Sequence, residues 1–140
     1  MNGAARKTSG KWSDESIPLL RRLNIPGTDM TFKRTIDGAT TVLAPSGRLD
    51  HETCAAFEAA LTAETRAGGV AILDMSDVPY VSSVGLRAIM MGAKESKAAG
   101  GKLAVVGLQP VVKEIFEISR FHFVVPIFAS LEDAVATLSR

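Results

Sequence analysis

The sequence predicts a single α/β domain: a mixed, mostly parallel sheet of about five strands with about four helices, the first strand antiparallel. Three observations carry this. Residues 70–73 and 103–106 are short apolar runs with the length and composition of strands buried on both faces. Between them, Leu86, Ile89, Met90 and Ala93 recur at helical spacing. Ahead of this alternation, the β-branched runs at residues 31–36 and 40–44, joined by Asp37 and Gly38, read as a hairpin.

The first 29 residues stand apart. They are small and polar up to Ser16, carry five basic against three acidic side chains, and break at Ile25-Pro26-Gly27. Their charge of +2 contrasts with −1 for the remaining 111 residues. Ile17, Leu20 and Leu23 form a short apolar stripe, so residues 1–29 are expected to be a polar leader, either mobile or a short docking segment, with the folded domain at residues 30–140. Trp12 falls in this leader, exposed or part of such a dock.

After the hairpin, Pro45-Ser46-Gly47 ends the second strand. Asp50 is expected to cap a helix carrying Cys54, Phe57 and Leu61, closed by Gly68-Gly69. The strand at residues 70–73 leads through a polar interval into the helix of Leu86, which Gly100-Gly101 stops. Beyond the strand at 103–106, Pro110 opens a short helix with Val111, Val112, Ile115 and Phe116 on one side. Residues 124–128 are the last strand candidate. Ser130, with Asp133 three residues on, resembles a capping box and opens a helix through Leu131, Val135 and Leu138.

Composition excludes several functional classes. Sixteen basic and 15 acidic side chains give a net charge of +1, without the basic excess that direct nucleic-acid binding requires. The longest uncharged stretch, residues 121–131, is too short for the ~20 apolar residues of a membrane span. The first twelve residues lack the apolar core of a signal peptide. A single cysteine, Cys54, allows no intrachain disulfide and starts no zinc site; on its apolar stripe it reads as a small core filler. The expectation is a cytoplasmic protein with no metal and no cofactor.

Chemistry in an open α/β sheet gathers at the carboxyl ends of the strands. The loop after the strand at 70–73 holds Asp74, Ser76, Asp77, Ser82 and Ser83 and runs into the start of a helix. A first helical turn has unpaired N–H groups and the positive end of the helix dipole. One serine there serves as an N-cap. A phosphate on the other would meet the same donors, which makes a helix-start serine suited to a phosphorylation switch.

The run from Val70 to Arg87, with Asp74-Met75-Ser76 and Ser82-Ser83-Val84-Gly85-Leu86 inside it, resembles the signature of STAS domains, the family of bacterial anti-sigma factor antagonists. The continuation agrees in order and spacing: Ala98 to Leu103, Val105 to Leu108, Val112 to Ile118, Pro126-Ile127-Phe128 and Ser130 to Ala134, with Gly47-Arg48-Leu49-Asp50 like the family's approach to its first helix. The likeness spans about residues 31–138. It implies an anti-sigma factor antagonist in a partner-switching pathway. Unphosphorylated, such a protein binds an anti-sigma factor that is also a serine kinase; phosphorylation of a loop serine releases it, and a serine phosphatase can reverse the change. The family motif Asp-Ser-(Ser/Ala)-Gly-Leu falls on Ser82, Ser83, Val84, Gly85 and Leu86, so Ser83 is the implied phosphoacceptor and Ser82 the alternative. Serine stands at 82 where the best-known members have aspartate, which removes a negative charge and offers a competing hydroxyl. The partner-binding residues are then Ser82, Ser83, Val84, Gly85, Arg87 and Met91, since Val84, Arg87 and Met91 fall off the core stripe.

Other readings lack their residues. A hydrolase nucleophile elbow needs glycine where Val81 stands, and His51 and His122 have no acidic partner at a suitable spacing, so both read as surface or loop residues. A phospho-accepting aspartate at Asp74 would want a lysine at Val125, before Pro126, which makes Asp74 a loop cap instead. No phosphate-binding glycine loop occurs, so within the STAS resemblance the chain is expected to be the substrate of a kinase and not the kinase itself, with no catalytic residues. The remaining alternative is a non-switching STAS module, such as the cytoplasmic subunit of a lipid transporter or part of a larger signalling assembly. The oligomeric state is left open.

Overall fold

In the computed structural model, which describes residues 13–14 and 30–138, the apolar runs build one six-stranded sheet in the order β1-β2-β3-β4-β5-β6. β2 (Thr31–Asp37) and β3 (Thr40–Ser46) form the hairpin in antiparallel register, Asp37 opposite Thr40. The loop is therefore Gly38-Ala39, one residue later than the Asp37-Gly38 turn expected, and Gly38 takes φ +63°, open to glycine at no steric cost. β3, β4 (Val70–Asp74), β5 (Lys102–Val106) and β6 (Ile127–Phe128) pair in parallel. β1 (Ser13–Asp14) pairs antiparallel with the outer side of β2, giving one strand beyond the five expected. The rest of the expected leader lies outside the described residues.

Each parallel step crosses through a helix: α1 (Cys54–Thr65), α2 (Ser83–Ala98) and α3 (Pro110–Ile118), with α4 (Leu131–Leu138) closing the chain. Strand alternation divides the core in two. Leu43, Leu73, Leu103 and Val105 meet Phe57 and Leu61 of α1, Ile89 of α2, and Val112 and Phe116 of α3. Val42, Ile72 and Val106 face the other way, onto Ala134 of α4. Ser130 caps α4, its hydroxyl accepting the Asp133 amide at 3.2 Å, as its spacing predicted.

Three local expectations need correction. Asp50 does not cap α1. Its Oδ1 accepts the Glu52 and Thr53 amides at 3.0 and 3.3 Å and so shapes the preceding turn, while Thr53 is the N-cap residue. On α3 only Val112 and Phe116 are buried; Val111 and Ile118 are exposed, because the helix meets the core along one narrow line. The last strand is Ile127–Phe128 alone: Arg120 turns left-handed at φ 56°, residues 121–123 form a 3-10 turn, and Val124 is spent on that turn. On α2 the expected stripe holds, with Ile89 buried and Leu86, Met90 and Ala93 packed against the core, beside the buried Gly85, Ala88, Gly92 and Ser96.

Candidate functional site

The carboxyl ends of β3, β4 and β5 place three loops side by side, and backbone bonds lace them together. Gly47 donates to the Asp77 carbonyl at 3.0 Å, Leu49 to Tyr80 at 2.9 Å, and Ser82 back to Leu49 at 2.9 Å. The β4–α2 loop is thus pinned along the β3–α1 loop by two short parallel bridges, Ser46 with Asp77 and Leu49 with Val81. On its other side, Gln109 Nε2 donates to the Ser76 carbonyl at 2.7 Å and Met75 donates to Val106 at 2.9 Å. Asp74 Oδ1 accepts from the Ser76 amide at 3.0 Å and from the Ser76 hydroxyl, the loop-capping role its position suggested. Gly107, at φ +72°, has no room for a side chain against Ser76 Oγ and Asp74 Oδ1. Arg48 lies over the Tyr80 ring, 4.5 Å from its centroid, and covers the loop from outside.

This framework delivers the chain into α2 with a defined start. Ser82 is extended at φ −85°, ψ 174°, and its Oγ accepts the Gly85 amide at 3.4 Å. Ser83 is the first residue of the helix and is exposed. Gly85 faces inward, and a Cβ there would stand 2.7 Å from Leu49 Cγ and 3.0 Å from Val81 Cγ1. That close approach seats the first turn of α2 on the laced loops. Val84, Arg87 and Met91 point outward, Val84 and Met91 with 40% and 50% of their surface exposed. Ser83, Arg87 and Met91 are spaced at four and lie on one line along the helix. Of the six residues the sequence singled out, the fold therefore exposes Ser83, Val84, Arg87 and Met91, leaves Ser82 half-buried as the cap, and buries Gly85 beneath them.

Cys54 opens α1 beneath this face, its Sγ 3.7 Å from the Val84 carbonyl and 3.7 Å from Glu58 Oε2. Burial pushes the thiol's pKa up, and the neighbouring Glu58 carboxylate adds to the effect, so it stays protonated at neutral pH. This is the core-filling role read from its stripe. His51 and His122 are both exposed. Among the described residues no group of His, Cys, Asp and Glu could hold a metal ion, and no helix is long and apolar enough to cross a membrane.

Sequence reading missed the Gln109 latch, the Arg48–Tyr80 stack and the small-residue face of α2. Only the last carried a signal: Gly85 and Gly92 lie seven apart in one helix, and glycine inside a helix, as at Gly92, is disfavoured unless another segment approaches closely.

Three loops bound together at the strand ends, a capped helix start and an exposed mixed face define an α/β domain with an open helix-start surface. The profile of the STAS domain matches residues 31–134, and the chain belongs to the STAS domain family. BtrV of Bordetella bronchiseptica, named as an anti-sigma factor antagonist, is 40% identical over 65 residues, 46% of this chain. The chain spans about half the length of that relative, 56%. An anti-sigma factor antagonist from Mycobacterium paratuberculosis superposes with a TM-score of 0.72 at 22% identity, covering 83% of this chain and 98% of its own. The antagonist SpoIIAA in its unphosphorylated form gives 0.65 at 20% identity over 78% of this chain and 96% of its own. Its phosphorylated form, from Bacillus, gives 0.58 at 19% identity over 76% and 97%. These structures share the fold.

Proposed function

We propose that the chain is an anti-sigma factor antagonist that works by partner switching: unphosphorylated, it binds an anti-sigma factor with serine-kinase activity, and phosphorylation of Ser83 releases it. The observation that carries this reading is the division of labour between the two serines. Ser82 is half-buried, with its hydroxyl engaged as the N-cap, while Ser83 is exposed at the first position of α2 on the face formed by Val84, Arg87 and Met91. The likeness to BtrV, and to a protein solved in both phosphorylation forms, supports the same reading.

The mechanism follows from charge. Before modification the face around Ser83 is apolar and cationic, suited to a partner surface with apolar and acidic groups. Phosphate adds about −1.5 to −2 charge at neutral pH. Under a docked partner that charge is desolvated or set against carboxylates, and a loss of roughly 3 kcal/mol weakens binding about a hundredfold. The chain's own part is to bind and to present a hydroxyl; the kinase supplies the catalysis. A phosphatase resets the cycle, and the site of action is the cytoplasm, where the sigma factor works.

The test is to incubate the chain with purified anti-sigma kinases of its own genome and Mg-ATP, locate the phosphate by mass spectrometry, and titrate both forms against the kinase by calorimetry. Phosphate on Ser83 with an affinity loss near a hundredfold is expected. Tight binding without phosphate uptake would place the chain among the non-switching STAS modules.

A further inference from the structure

α1 and α2 run side by side, tied at one end by Cys54 Sγ near the Val84 carbonyl and at the other by the Thr65 hydroxyl donating to Glu95 Oε1 at 2.8 Å. Small residues on α2 allow this: a Cβ on Gly92 would stand 2.6 Å from Leu61 Cδ2. Over this contact the two helices leave an open cleft of about 450 Å³, floored by Leu61 and Gly92, with Glu58 and Thr62 on the α1 bank and Met91, Lys94 and Glu95 on the α2 bank, Glu95 being held by Thr65 and Arg66. Glu58 and Lys94 are both exposed, and neither forms an ion pair among the described residues. Met91, half exposed, belongs both to this cleft and to the line that begins at Ser83.

We infer that the cleft is the anchor pocket for the anti-sigma factor, taking one large apolar side chain from an amphipathic helix that carries a basic group toward Glu58 and an acidic group toward Lys94. The inference rests on the partner-switching reading and adds where the affinity comes from. Met91 follows Ser83 by eight residues, about 12 Å along the helix axis. A standard interface buries about 800 Å² per partner, a disc of roughly 16 Å radius, so a protein centred on Ser83 also covers the mouth of the cleft. Binding energy concentrates where a large side chain fills a desolvated pocket, and helix-in-groove docking uses this kind of apolar floor with charged banks. Met91 links the two regions, since it ends the exposed line that starts at Ser83 and also lines the cleft. Affinity and switch then sit two turns apart: the cleft supplies the hold on the partner, and the phosphate on Ser83 subtracts enough from it to release the partner.

The test is calorimetric titration of the full chain against the purified anti-sigma kinase that phosphorylates it, using Thr62→Arg, Thr62→Val and Lys94→Glu with thermal melts as controls. Thr62→Arg, which swings a cation into the cleft, is expected to weaken binding at least tenfold with an unchanged melt. Thr62→Val is expected to stay within twofold, and Lys94→Glu to weaken binding several-fold. Combined with Ser83→Glu, the loss from Thr62→Arg adds, as for sites without shared contacts. Wild-type affinity in both Thr62→Arg and Lys94→Glu, with Ser83→Glu impaired, overturns the cleft and leaves the switch standing. Wild-type affinity in Ser83→Glu, with Thr62→Arg impaired, overturns the switch and keeps the cleft. Sedimentation showing a dimer of the chain that Thr62→Arg dissociates would assign the cleft to a second copy instead, and failure of every such kinase to bind overturns both.

Discussion

The Ser82 hydroxyl accepts the Gly85 amide at 3.4 Å, and this one contact separates two adjacent serines into a cap and a free hydroxyl. An N-cap serine satisfies a donor that the helix itself cannot, and its loss costs about 1 kcal/mol. Ser82→Ala should therefore lower stability by about that amount in urea unfolding and leave phosphate uptake on Ser83 in place. Ser83→Ala should leave stability within about 0.5 kcal/mol, as exposed substitutions do, and abolish uptake. Intact-mass spectrometry after kinase treatment checks both, and uptake retained in Ser83→Ala would move the site to Ser82.

Gly85 presents two opposed effects of known size. Alanine in a helix interior is favoured over glycine by about 1 kcal/mol. The added Cβ, however, stands 2.7 Å from Leu49 Cγ and 3.0 Å from Val81 Cγ1, both on buried residues pinned by backbone bonds. Overpacking of this kind costs about 1–3 kcal/mol and here exceeds the propensity gain. Gly85→Ala is expected to destabilise the chain by about 1 kcal/mol or more by urea denaturation; a stabilised variant would mean that Leu49 moves aside freely.

How much was legible in the sequence depends on which force sets each feature. Residues 70–73 and 103–106 became central strands because burial on both faces selects a continuous apolar run, and that pattern has few alternatives. Ser130 was legible as a cap because its partner lies three residues away in sequence. Asp50 was misread for a related reason: an aspartate before a helix suits an Asx turn as well as a cap, and only the Thr53 hydroxyl, donating to the Arg48 carbonyl at 2.8 Å, shows which one forms. Ser82 and Ser83 were found by their place at a helix start, but which of them caps is a matter of a single dihedral. The Gln109 latch on Ser76 spans 33 residues and leaves no local trace.

Arg34 and Glu64 join β2 to α1 across the core face, Nε to Oε2 at 2.6 Å, with the Glu64 side chain 4% exposed. Arg34 is 21% exposed, so removing it strands the buried Glu64 carboxylate at a cost toward the lower end of the about 3–5 kcal/mol of a fully buried pair. Arg34→Met should destabilise by about 3 kcal/mol, while the double change Arg34→Met with Glu64→Leu should recover most of the loss. Equal stability of the single and double variants in guanidinium unfolding would show that solvent reaches the pair.

Cys54 provides a pH dependence with a definite sign. Its pKa is raised in the folded chain by burial first and by Glu58 second, so the folded state holds the thiol proton more tightly than the unfolded one. The stabilising contribution is complete below the ordinary thiol pKa of about 8.5 and is lost as pH rises through the folded value. Wild-type stability should therefore fall between pH 8 and pH 10 more steeply than that of Cys54→Ala. Alkylation by iodoacetamide at pH 8 should be slow in the folded chain and fast in urea. A pH profile shared by both proteins would remove the thiol from the account.

The phosphate itself supplies the last prediction, because two routes of release differ in sign. Were phosphorylation to release the partner by unravelling the start of α2, the phosphorylated chain would melt at a lower temperature. At the first position of a 16-residue helix, however, an anion meets unpaired N–H groups and the positive end of the dipole, worth about 0.3–1 kcal/mol. Arg87, one turn on along the same exposed line, adds a cation within reach of that anion. Phosphorylation of Ser83 is therefore expected to raise the melting temperature by roughly 2–4 °C, an increment that shrinks in 1 M salt. Arg87→Gln should remove part of it and leave the unmodified protein's melting temperature unchanged. Calorimetric melts of both forms at low and high salt decide the matter: a lower melting temperature in the phosphorylated chain would mean that the helix start yields, and that release works through shape instead of charge.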